Sequence, residues 1–396
     1  MSETHDVLVV GASAAGLSTA EALRRNGHRG RLTLLGAEEH VPYDRPPLSK
    51  QVLAGDWQPE RARLRPEQML SDLDAEFVLG DPAVRLDTAQ RTVHTTSDRT
   101  LSADTVVVAT GVRPRRLPVE HDLTGVHVLR TLDDALALRA GLSRSARLVV
   151  VGEGVLGAEI AATARKLGLD VTLAGPQSAP LANQLGPLVS GTLADLHSEH
   201  GVRLALGHLV EELTGEHGRV TGVRLDNGES LPADLVVVAI GAEPATAWLR
   251  DSGLTLDDGV VCDARCQAAP GVYAVGDVAR WYHPTLRTML RLENRTNATE
   301  QAQVVAANIL GADRTYAPVP YFWTDQFDAK VQVYGRPGAD DDTTVVEGDP
   351  ADRRFVVRFE RSGHVTGIVG WNMPKQARLR RREIVEALDA APLPTT

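Results

Sequence analysis

Residues 7–16 read Val-Leu-Val-Val-Gly-Ala-Ser-Ala-Ala-Gly, and residues 148–157 read Leu-Val-Val-Val-Gly-Glu-Gly-Val-Leu-Gly. Each stretch joins a continuous apolar run, typical of a parallel strand buried on both faces, to a glycine-rich turn. Because a helical segment and a further strand follow each turn, the sequence predicts an α/β fold with two Rossmann-like dinucleotide-binding domains. From Pro318 onward, alternating β-branched residues predict the antiparallel strands of a small α+β domain at the C-terminal end.

The second turn carries a full Gly-x-Gly-x-x-Gly pattern at Gly152, Gly154 and Gly157. The first glycine allows the tight turn, the second lets a pyrophosphate approach the backbone, and the third lets the helix pack against the strand. The helix start then offers N–H groups and a positive dipole end to the phosphates. We expect this turn, including Leu156, to bind a dinucleotide. An ordinary glycine-rich turn is the alternative.

The first turn keeps Gly11 and Gly16, but Ser13 replaces the middle glycine. A side chain is tolerable there if the backbone keeps a negative φ, and the hydroxyl can donate to a phosphate. Since the turn lies in the same strand-turn-helix plan as the second one, we predict a dinucleotide site here as well, with Ala14 and Ala15 at the helix start.

Both copies are unusual at the ribose-reading position, which lies about 20 residues past the last glycine. The first copy has Gly36 and Ala37 there, so Glu38 is the candidate for the ribose hydroxyls, with a solvated loop carboxylate as the alternative. The second copy ends at Gly175, with no acid to favour a ribose hydroxyl and no arginine close by to hold a 2′-phosphate. The choice between NADH and NADPH stays open, with a mild preference for NADH.

The composition of the chain indicates its size class and argues against several kinds of protein. The chain has 396 residues and a net charge of −10, which indicates two or three domains and no global basic field for nucleic acid. We find no apolar run long enough for a membrane span and no signal peptide, so we expect a cytoplasmic protein without membrane partners. Cys262 and Cys266 have no second pair for a zinc site, and we expect no metal.

Five further motifs are spread along the chain. They are Pro42-Tyr43-x-Arg45-Pro46-Pro47-Leu48-Ser49-Lys50, Ala109-Thr110-Gly111-x-Arg113-Pro114, Leu129-Arg130-Thr131-Leu132, Tyr273-Ala274-Val275-Gly276-Asp277 and Pro320-Tyr321-Phe322-Trp323-Thr324-Asp325-Gln326. Together they resemble the FAD-dependent ferredoxin reductases of oxygenase systems, the putidaredoxin-reductase and rubredoxin-reductase group related to apoptosis-inducing factor. The resemblance implies a glutathione-reductase-like architecture, with an FAD domain at 1–113 and 239–317, a nicotinamide domain at 114–238 and a C-terminal domain at 318–396.

The resemblance also implies roles for single residues. Arg45 and Lys50 should lie against FAD, with Lys50 near the reactive edge, where a cation stabilises negative charge on the reduced flavin. Glu159 matches an acid near the nicotinamide carboxamide, Asp277 an aspartate on the flavin ribitol and Arg130 a flavin-side contact. For Lys50 the alternative is a surface lysine that caps the next helix, and for Glu159 it is a helix N-terminal glutamate favoured by the dipole. The remaining cofactor candidates are Thr110, Gly111, Gly241, Gly276, Glu293 and Trp323.

One departure concerns residues 293–297, which read Glu-Asn-Arg-Thr-Asn where the family usually has Glu-x-Trp-Thr/Ser-Asn. Arg295 thus replaces an aromatic ring at a position that faces the cofactor. It can pair with a carboxylate or phosphate, or stabilise reduced flavin, and we count it with Lys50 and Glu159 as a catalytic candidate. It also leaves open a repurposed flavoenzyme that acts directly on an organic small molecule.

The function implied by the resemblance is hydride transfer from NADH or NADPH to FAD, followed by single-electron transfer to a ferredoxin-type iron–sulfur protein serving a monooxygenase or dioxygenase. Disulfide reductase and cysteine-dependent peroxidase mechanisms are disfavoured, because neither 38–55 nor 114–238 contains a cysteine. An acidic ferredoxin needs a basic patch, and the candidates are Arg378, Arg380, Arg381 and Arg382, with a solvated helix face as the alternative. We expect a monomer or a homodimer.

Overall fold

The computed structural model describes residues 5–117 and 123–390. The chain divides into two compact units. The first comprises Met1–Asp44, Ala62–Arg113 and Glu243–Pro318, and the second comprises Arg45–Arg61, Pro114–Ala242 and Val319–Thr396. Two short strands, Val112–Pro114 and Ala242–Pro244, lie where the chain passes from one unit to the other.

The first unit is built on a six-stranded sheet. Its strands, in spatial order, are Gln267–Ala269, Val272–Ala274, Thr105–Val108, Val7–Val10, Leu32–Leu35 and Glu76–Val78. All neighbours pair in parallel except the first two, which are antiparallel. Three adjacent strands, Thr105–Val108, Val7–Val10 and Leu32–Leu35, are buried at every position, which explains why all their residues but two threonines are apolar.

Helices and two small sheets complete the first unit. The helices Ala14–Arg25 and Arg295–Ile309 contribute Leu17, Leu23 and Val305 to the core of the large sheet. The other elements are the helix Glu67–Asp72, the 3-10 turns Ala247–Leu249 and Gly276–Val278, the strands Ala83–Asp87, Thr92–Thr95 and Thr100–Ser102, and the strands Val260–Cys262, Ala279–His283 and Thr288–Leu290.

The second unit contains a parallel five-stranded sheet in the order Arg203–Leu206, Asp170–Gly175, Arg147–Val151, Leu235–Val238 and Val126–His127. It includes the helices Leu132–Leu142 and Val155–Lys166, and an antiparallel sheet of Val210–Glu216, Arg219–Leu225 and Ser230–Pro232. The segment that follows Asp44 adds the 3-10 turns Pro46–Ser49 and Pro59–Ala62 and the short helix Gln51–Ala54. A second parallel sheet with the same strand-turn-helix plan confirms the repeat predicted from the sequence.

The C-terminal part of the second unit is an antiparallel sheet in the order Tyr321–Gln326, Ala329–Gly335, His364–Trp371, Arg354–Arg361 and Asp342–Asp349. Helix Ala182–Glu199 packs with Phe355, Val357 and Phe359, and helix Pro374–Ala390 packs with Val356. Alternate residues of one strand therefore serve two cores, because successive side chains of a strand point to opposite faces. Within the described ranges, no helix combines the length and the apolar character that a membrane crossing requires.

Candidate dinucleotide-binding sites

The first turn joins Val7–Val10 to helix Ala14–Arg25. Gly11 has a φ of +120°, and a Cβ built on it would lie 2.1 Å from the carbonyl oxygen of Ala109. A Cβ on Gly16 would lie 1.9 Å from the carbonyl oxygen of Gly11. Both glycines are therefore required by close backbone approach, which holds the helix start against the strand end.

Ser13 is the N-cap residue of this helix, with a φ of −119°, so its side chain causes no backbone strain. Its hydroxyl does not cap the helix, and the first helical turn contains no acidic residue. The amides of that turn and the Ser13 hydroxyl are thus donors at the positive end of the helix, which suits a pyrophosphate. Ala14 and Ala15, the small residues at the helix start, leave room for such a ligand.

Two predicted cofactor segments lie close to the first turn. Gly276, at φ +79°, is so near the helix start that an added Cβ would lie 2.9 Å from the Cβ of Ala15. Asp277 is half-buried at the same 3-10 turn. The amide of Thr110 lies 3.0 Å from the Cβ position of Gly11, and Gly111 follows at φ +67°. The structure therefore gathers these motif residues at one end of the large sheet.

Glu38 follows the strand Leu32–Leu35, at the carboxyl edge of the same sheet. It is half-buried and accepts a hydrogen bond from the hydroxyl of Tyr43, in the proline-rich motif. Gly36 has no room for a side chain, because a Cβ there would lie 2.9 Å from the Leu79 side chain. A carboxylate is thus held where ribose hydroxyls are usually read.

Arg295 begins the helix Arg295–Ile309 and makes an ion pair within the first unit. Its Nε donates to Asp44 Oδ1 at 2.6 Å, and its Nη1 donates to the hydroxyl of Thr299. Of the pairings considered for this arginine, the structure contains the carboxylate pair. Glu293, the exposed neighbour in the same motif, accepts from Arg291 at 2.6 Å.

The second turn, in the second unit, repeats the geometry of the first. Gly152 has a φ of +111°, and its Cβ would lie 2.3 Å from the carbonyl oxygen of Ala239; a Cβ on Gly157 would lie 1.8 Å from the Gly152 carbonyl oxygen. Gly154 differs, since its φ is −72° and a Cβ would meet no protein atom within 4 Å. The structure leaves open space in front of this glycine, as the approach of a pyrophosphate requires. Leu156 lies in the first turn of the following helix.

Two residues flank this second turn. Gly241, after the strand Leu235–Val238, has a φ of +98° and open space around its Cβ position. Gly175 ends the strand Asp170–Gly175, and the carboxyl group of Glu153 fills the space where its side chain would begin. Sequence reasoning did not select Glu153, because it stands at a variable position of the glycine motif.

Lys50 and Glu159 form a buried ion pair in the second unit. The Lys50 Nζ lies 2.5 Å from Glu159 Oε2, and the two side chains are 14% and 6% exposed. The Ser49 hydroxyl donates to the same oxygen at 2.6 Å, and the Thr324 hydroxyl donates to Oε1 at 2.9 Å. Each carboxylate oxygen is thus hydrogen-bonded, as a buried charge requires. Ser49 and Thr324 were not selected from the sequence, although both lie inside the quoted motifs.

The hydrogen bonds continue from Thr324 into the interior. Gln326 Nε2 donates to the Thr324 hydroxyl at 3.1 Å, and Gln326 Oε1 lies 2.8 Å from His197 Nε2. Burial lowers the pKa of His197, so the imidazole is neutral at neutral pH. Trp323, next to Thr324 on the strand, is half-buried with its ring stacked on Tyr321. The strand Tyr321–Gln326 therefore supports Glu159 from one side.

Arg45 and Arg130 also come together in the second unit. The Arg45 Nη1 donates to the backbone carbonyl of Arg130 at 2.7 Å. The Arg130 amide in turn donates to Asp134 Oδ2 at 2.9 Å, and Thr131 forms a reciprocal capping box with Asp134. The two predicted flavin contacts are thus fixed by one helix start.

The four predicted arginines of the C-terminal helix differ in exposure and in ion pairing. Arg378, Arg381 and Arg382 are exposed. Arg380 is paired, because its Nη1 lies 2.8 Å from Glu383 and its Nε 3.4 Å from Glu347.

Both cysteines are free and buried. Burial raises the pKa of Cys266 to about 12, and Gln301 donates a hydrogen bond to its sulfur. Such thiols are poor nucleophiles, which leaves them a structural role.

Comparisons with known proteins cover nearly the whole chain. Residues 5–302 match the family model described as pyridine nucleotide-disulphide oxidoreductase, and residues 321–392 match the model described as reductase C-terminal. Rhodocoxin reductase from Rhodococcus erythropolis is 35% identical over 388 residues, covering 98% of this chain and 91% of that protein.

Two solved structures are similar throughout. The ferredoxin reductase for the CYP199A2 system from Rhodopseudomonas palustris has a TM-score of 0.93 at 35% identity, covering 97% of this chain and 95% of that one. The covalent putidaredoxin reductase–putidaredoxin complex gives a TM-score of 0.92 at 32% identity, covering 97% and 93%.

Proposed function

Because the chain belongs to the pyridine nucleotide-disulphide oxidoreductase family and carries a reductase C-terminal domain, we propose that it is an FAD-dependent ferredoxin–NAD(P)+ reductase. The observation that carries the proposal is the pair of strand-turn-helix cradles, each closed by two glycines that admit no side chain. Two dinucleotide cradles in one chain are what an enzyme needs if it binds both a flavin dinucleotide and a nicotinamide dinucleotide.

The residues of the first unit fit FAD. The helix start at Ser13 offers amide and hydroxyl donors without an opposing acid, and Glu38 offers a carboxylate for ribose hydroxyls. We infer that Asp277 binds the ribitol chain, which is supported by the packing of Gly276 on Ala15. Held by these residues, FAD would supply the redox chemistry, which is hydride acceptance from a nicotinamide and release of single electrons.

The residues of the second unit orient the reaction. We infer that Lys50 lies at the reactive edge of the flavin and Glu159 beside the nicotinamide. Glu159, fixed by Ser49 and Thr324, holds the ammonium of Lys50 in one place. A cation held this way stabilises negative charge without reorganisation, which is how preorganised groups contribute to catalysis. The division into an FAD domain, a nicotinamide domain at 114–238 and a C-terminal domain at 318–396 remains part of this proposal.

Arg295 does not require a different function. Its guanidinium is bonded to Asp44 and Thr299, so a structural pairing accounts for the arginine without an organic substrate. We therefore retain an iron–sulfur protein as the acceptor, which agrees with the relatives named as ferredoxin reductases and with the complex of putidaredoxin reductase and putidaredoxin.

We infer that the acceptor is acidic and docks on the exposed arginines of the C-terminal helix. Arg378, Arg381 and Arg382 are exposed on that helix, whereas Arg380 is neutralised by Glu347 and Glu383. Exposed charges of this kind act mainly on the rate of association and its salt dependence.

Rapid mixing without oxygen tests the proposed function. The purified flavoprotein is mixed with NADH or with NADPH, and we expect loss of oxidised-flavin absorbance with at least one of them. Cytochrome c reduction should then depend on an added ferredoxin from a dioxygenase or monooxygenase system. A flavin that neither nucleotide reduces would overturn the proposal.

The docking surface is tested by charge reversal of Arg381 and Arg382 to glutamate, with Arg144→Glu as an exposed control. We expect slower ferredoxin reduction at low salt for the double variant alone, with flavin reduction unchanged. An identical rate for both variants with several ferredoxins would rule out this surface.

A further inference from the structure

The carboxylate of Glu153 occupies the ribose-reading position of the second turn. A Cβ built on Gly175 would lie 1.5 Å from Glu153 Oε2 and 2.5 Å from its Cδ. Gly175 is the last residue of the second strand of this sheet unit, where dinucleotide-binding proteins usually place an acid. The acid is therefore present at that place, but it comes from the turn and not from the strand.

This carboxylate is held firmly on one side. Glu153 is only 3% exposed, and its Oε1 accepts the backbone amide of Gln177 at 3.0 Å. Its own backbone carbonyl accepts the amide of Leu181 at 3.0 Å. Oε2 accepts no hydrogen bond from any residue within the described ranges. A nearly buried carboxylate oxygen with open acceptor capacity calls for a donor, because such groups are normally satisfied.

The surrounding cations do not favour a phosphate at this place. Arg203 lies at the amino end of the neighbouring strand, where it pairs with Glu229. His208 lies at the carboxyl end, and its amide donates to the carbonyl of Gly175 at 3.2 Å. The His208 imidazole is 3.0 Å from Asp226, so it already has an acidic partner. The local charge is thus set by Glu153.

We propose that Glu153 binds the adenosine ribose 2′-hydroxyl of the nicotinamide dinucleotide and selects NADH over NADPH. The inference rests on the proposed function and specifies the substrate of its second cradle. A 2′-hydroxyl can donate to Oε2, whereas the 2′-phosphate of NADPH would meet a negative charge. This arrangement requires glycine at position 175, because any side chain there would displace the Glu153 carboxylate.

The test uses ligands that carry no nicotinamide, so that binding is measured without redox chemistry. Calorimetry with ADP-ribose and 2′-phospho-ADP-ribose gives two dissociation constants for each variant of the flavoprotein. We expect the wild type to prefer ADP-ribose, and Glu153→Gln to reduce that preference by roughly ten- to a hundredfold, as for loss of a hydrogen bond to a charged group.

Exchange of the two residues provides the matched control. Glu153→Gly combined with Gly175→Glu returns an acid to the strand end, and we expect it to restore the preference for ADP-ribose. An unchanged preference in Glu153→Gln, or a wild type that prefers the 2′-phosphate, would overturn the assignment and leave the reductase function intact. A flavin-loaded wild type that binds neither fragment would overturn the nicotinamide site itself.

Discussion

Gly11 and Gly152 occupy the same place in the two turns, with φ values of +120° and +111°. An added Cβ would lie 2.1 Å from the carbonyl oxygen of Ala109 in the first turn and 2.3 Å from that of Ala239 in the second, and each of these residues directly follows a strand. The third glycines, Gly16 and Gly157, would likewise bring a Cβ to 1.9 and 1.8 Å from the carbonyl of the first glycine. The first and third glycines, which lie against backbone, thus have nearly the same geometry in the two turns.

The positions between and after these glycines differ between the turns. The middle residue is Ser13 in the first turn and Gly154 in the second, and Ala12 in the first corresponds to Glu153 in the second. Two residues past the third glycine, the first helix has Ser18 where the second has Glu159. The shared positions therefore specify the fold of the turn, whereas we infer that the differing positions distinguish the ligands.

The largest expected effect concerns Glu159 and its counterpart Ser18. Glu159→Gln leaves the buried ammonium of Lys50 without its charge partner, and we expect the unfolding free energy to fall by about 3–5 kcal/mol. Ser18→Ala, at the equivalent buried position, should cost about 1 kcal/mol. Chemical denaturation measures both, and flavin reduction should slow only in Glu159→Gln.

An exposed pair in the same unit serves as the control for this prediction. Arg147 and Asp234 form an ion pair in which both side chains are partly exposed. Asp234→Asn breaks this pair and should lower the unfolding free energy by about 1 kcal/mol or less. If Glu159→Gln proved no more destabilising than Asp234→Asn, the buried pair would not have the importance we assign to it.

Substitution of the equivalent third glycines in the two turns should weaken the binding of different ligands. Gly16→Ala and Gly157→Ala both push a methyl group into a backbone carbonyl, at a cost of about 1–3 kcal/mol. We expect the first variant to lose bound flavin and the second to keep flavin but lose affinity for ADP-ribose. Flavin content per chain and calorimetry measure the two outcomes.

Gly191→Ala is the control for both glycine variants, since its Cβ would meet no atom within 4 Å inside helix Ala182–Glu199. It should leave both ligands bound. Loss of the same ligand from Gly16→Ala and Gly157→Ala would contradict the separate assignment of the two cradles.

The two turns also show which features of the fold and the site can be predicted from the sequence. Apolar runs and glycine spacing predict both cradles, because strand burial and close backbone approach act between near neighbours along the chain. The Arg295–Asp44 pair joins residues 251 apart, and Thr324 reaches Glu159 from 165 residues away. The position of Glu153 is not predictable from the sequence for another reason. The acid that binds the ribose is expected at the end of the second strand, whereas the Glu153 carboxylate reaches the same space from the turn.

A smaller effect is expected at Gly154, the middle residue of the second turn, where a substitution should weaken ligand binding without affecting stability. Gly154→Ala adds a methyl group that meets no protein atom, at an ordinary negative φ, so stability should change by less than about 0.5 kcal/mol. The pyrophosphate must approach this backbone, and we expect ADP-ribose affinity to fall about tenfold or more. Full affinity in a stable Gly154→Ala variant would mean that the phosphates do not pass this glycine.

The smallest effect is expected at Ser13, the residue that holds the same place in the first turn. Its side chain already occupies the space that Gly154 keeps open, so FAD must tolerate a Cβ here. If the hydroxyl donates to a phosphate, Ser13→Ala should weaken FAD binding by roughly two- to tenfold, the value of one hydrogen bond. Ser13→Gly should weaken it equally, because the methylene contributes no such bond. Equal FAD affinity in the wild type and both variants would show that the serine only fills space, and the first turn would then hold its phosphates by backbone amides alone.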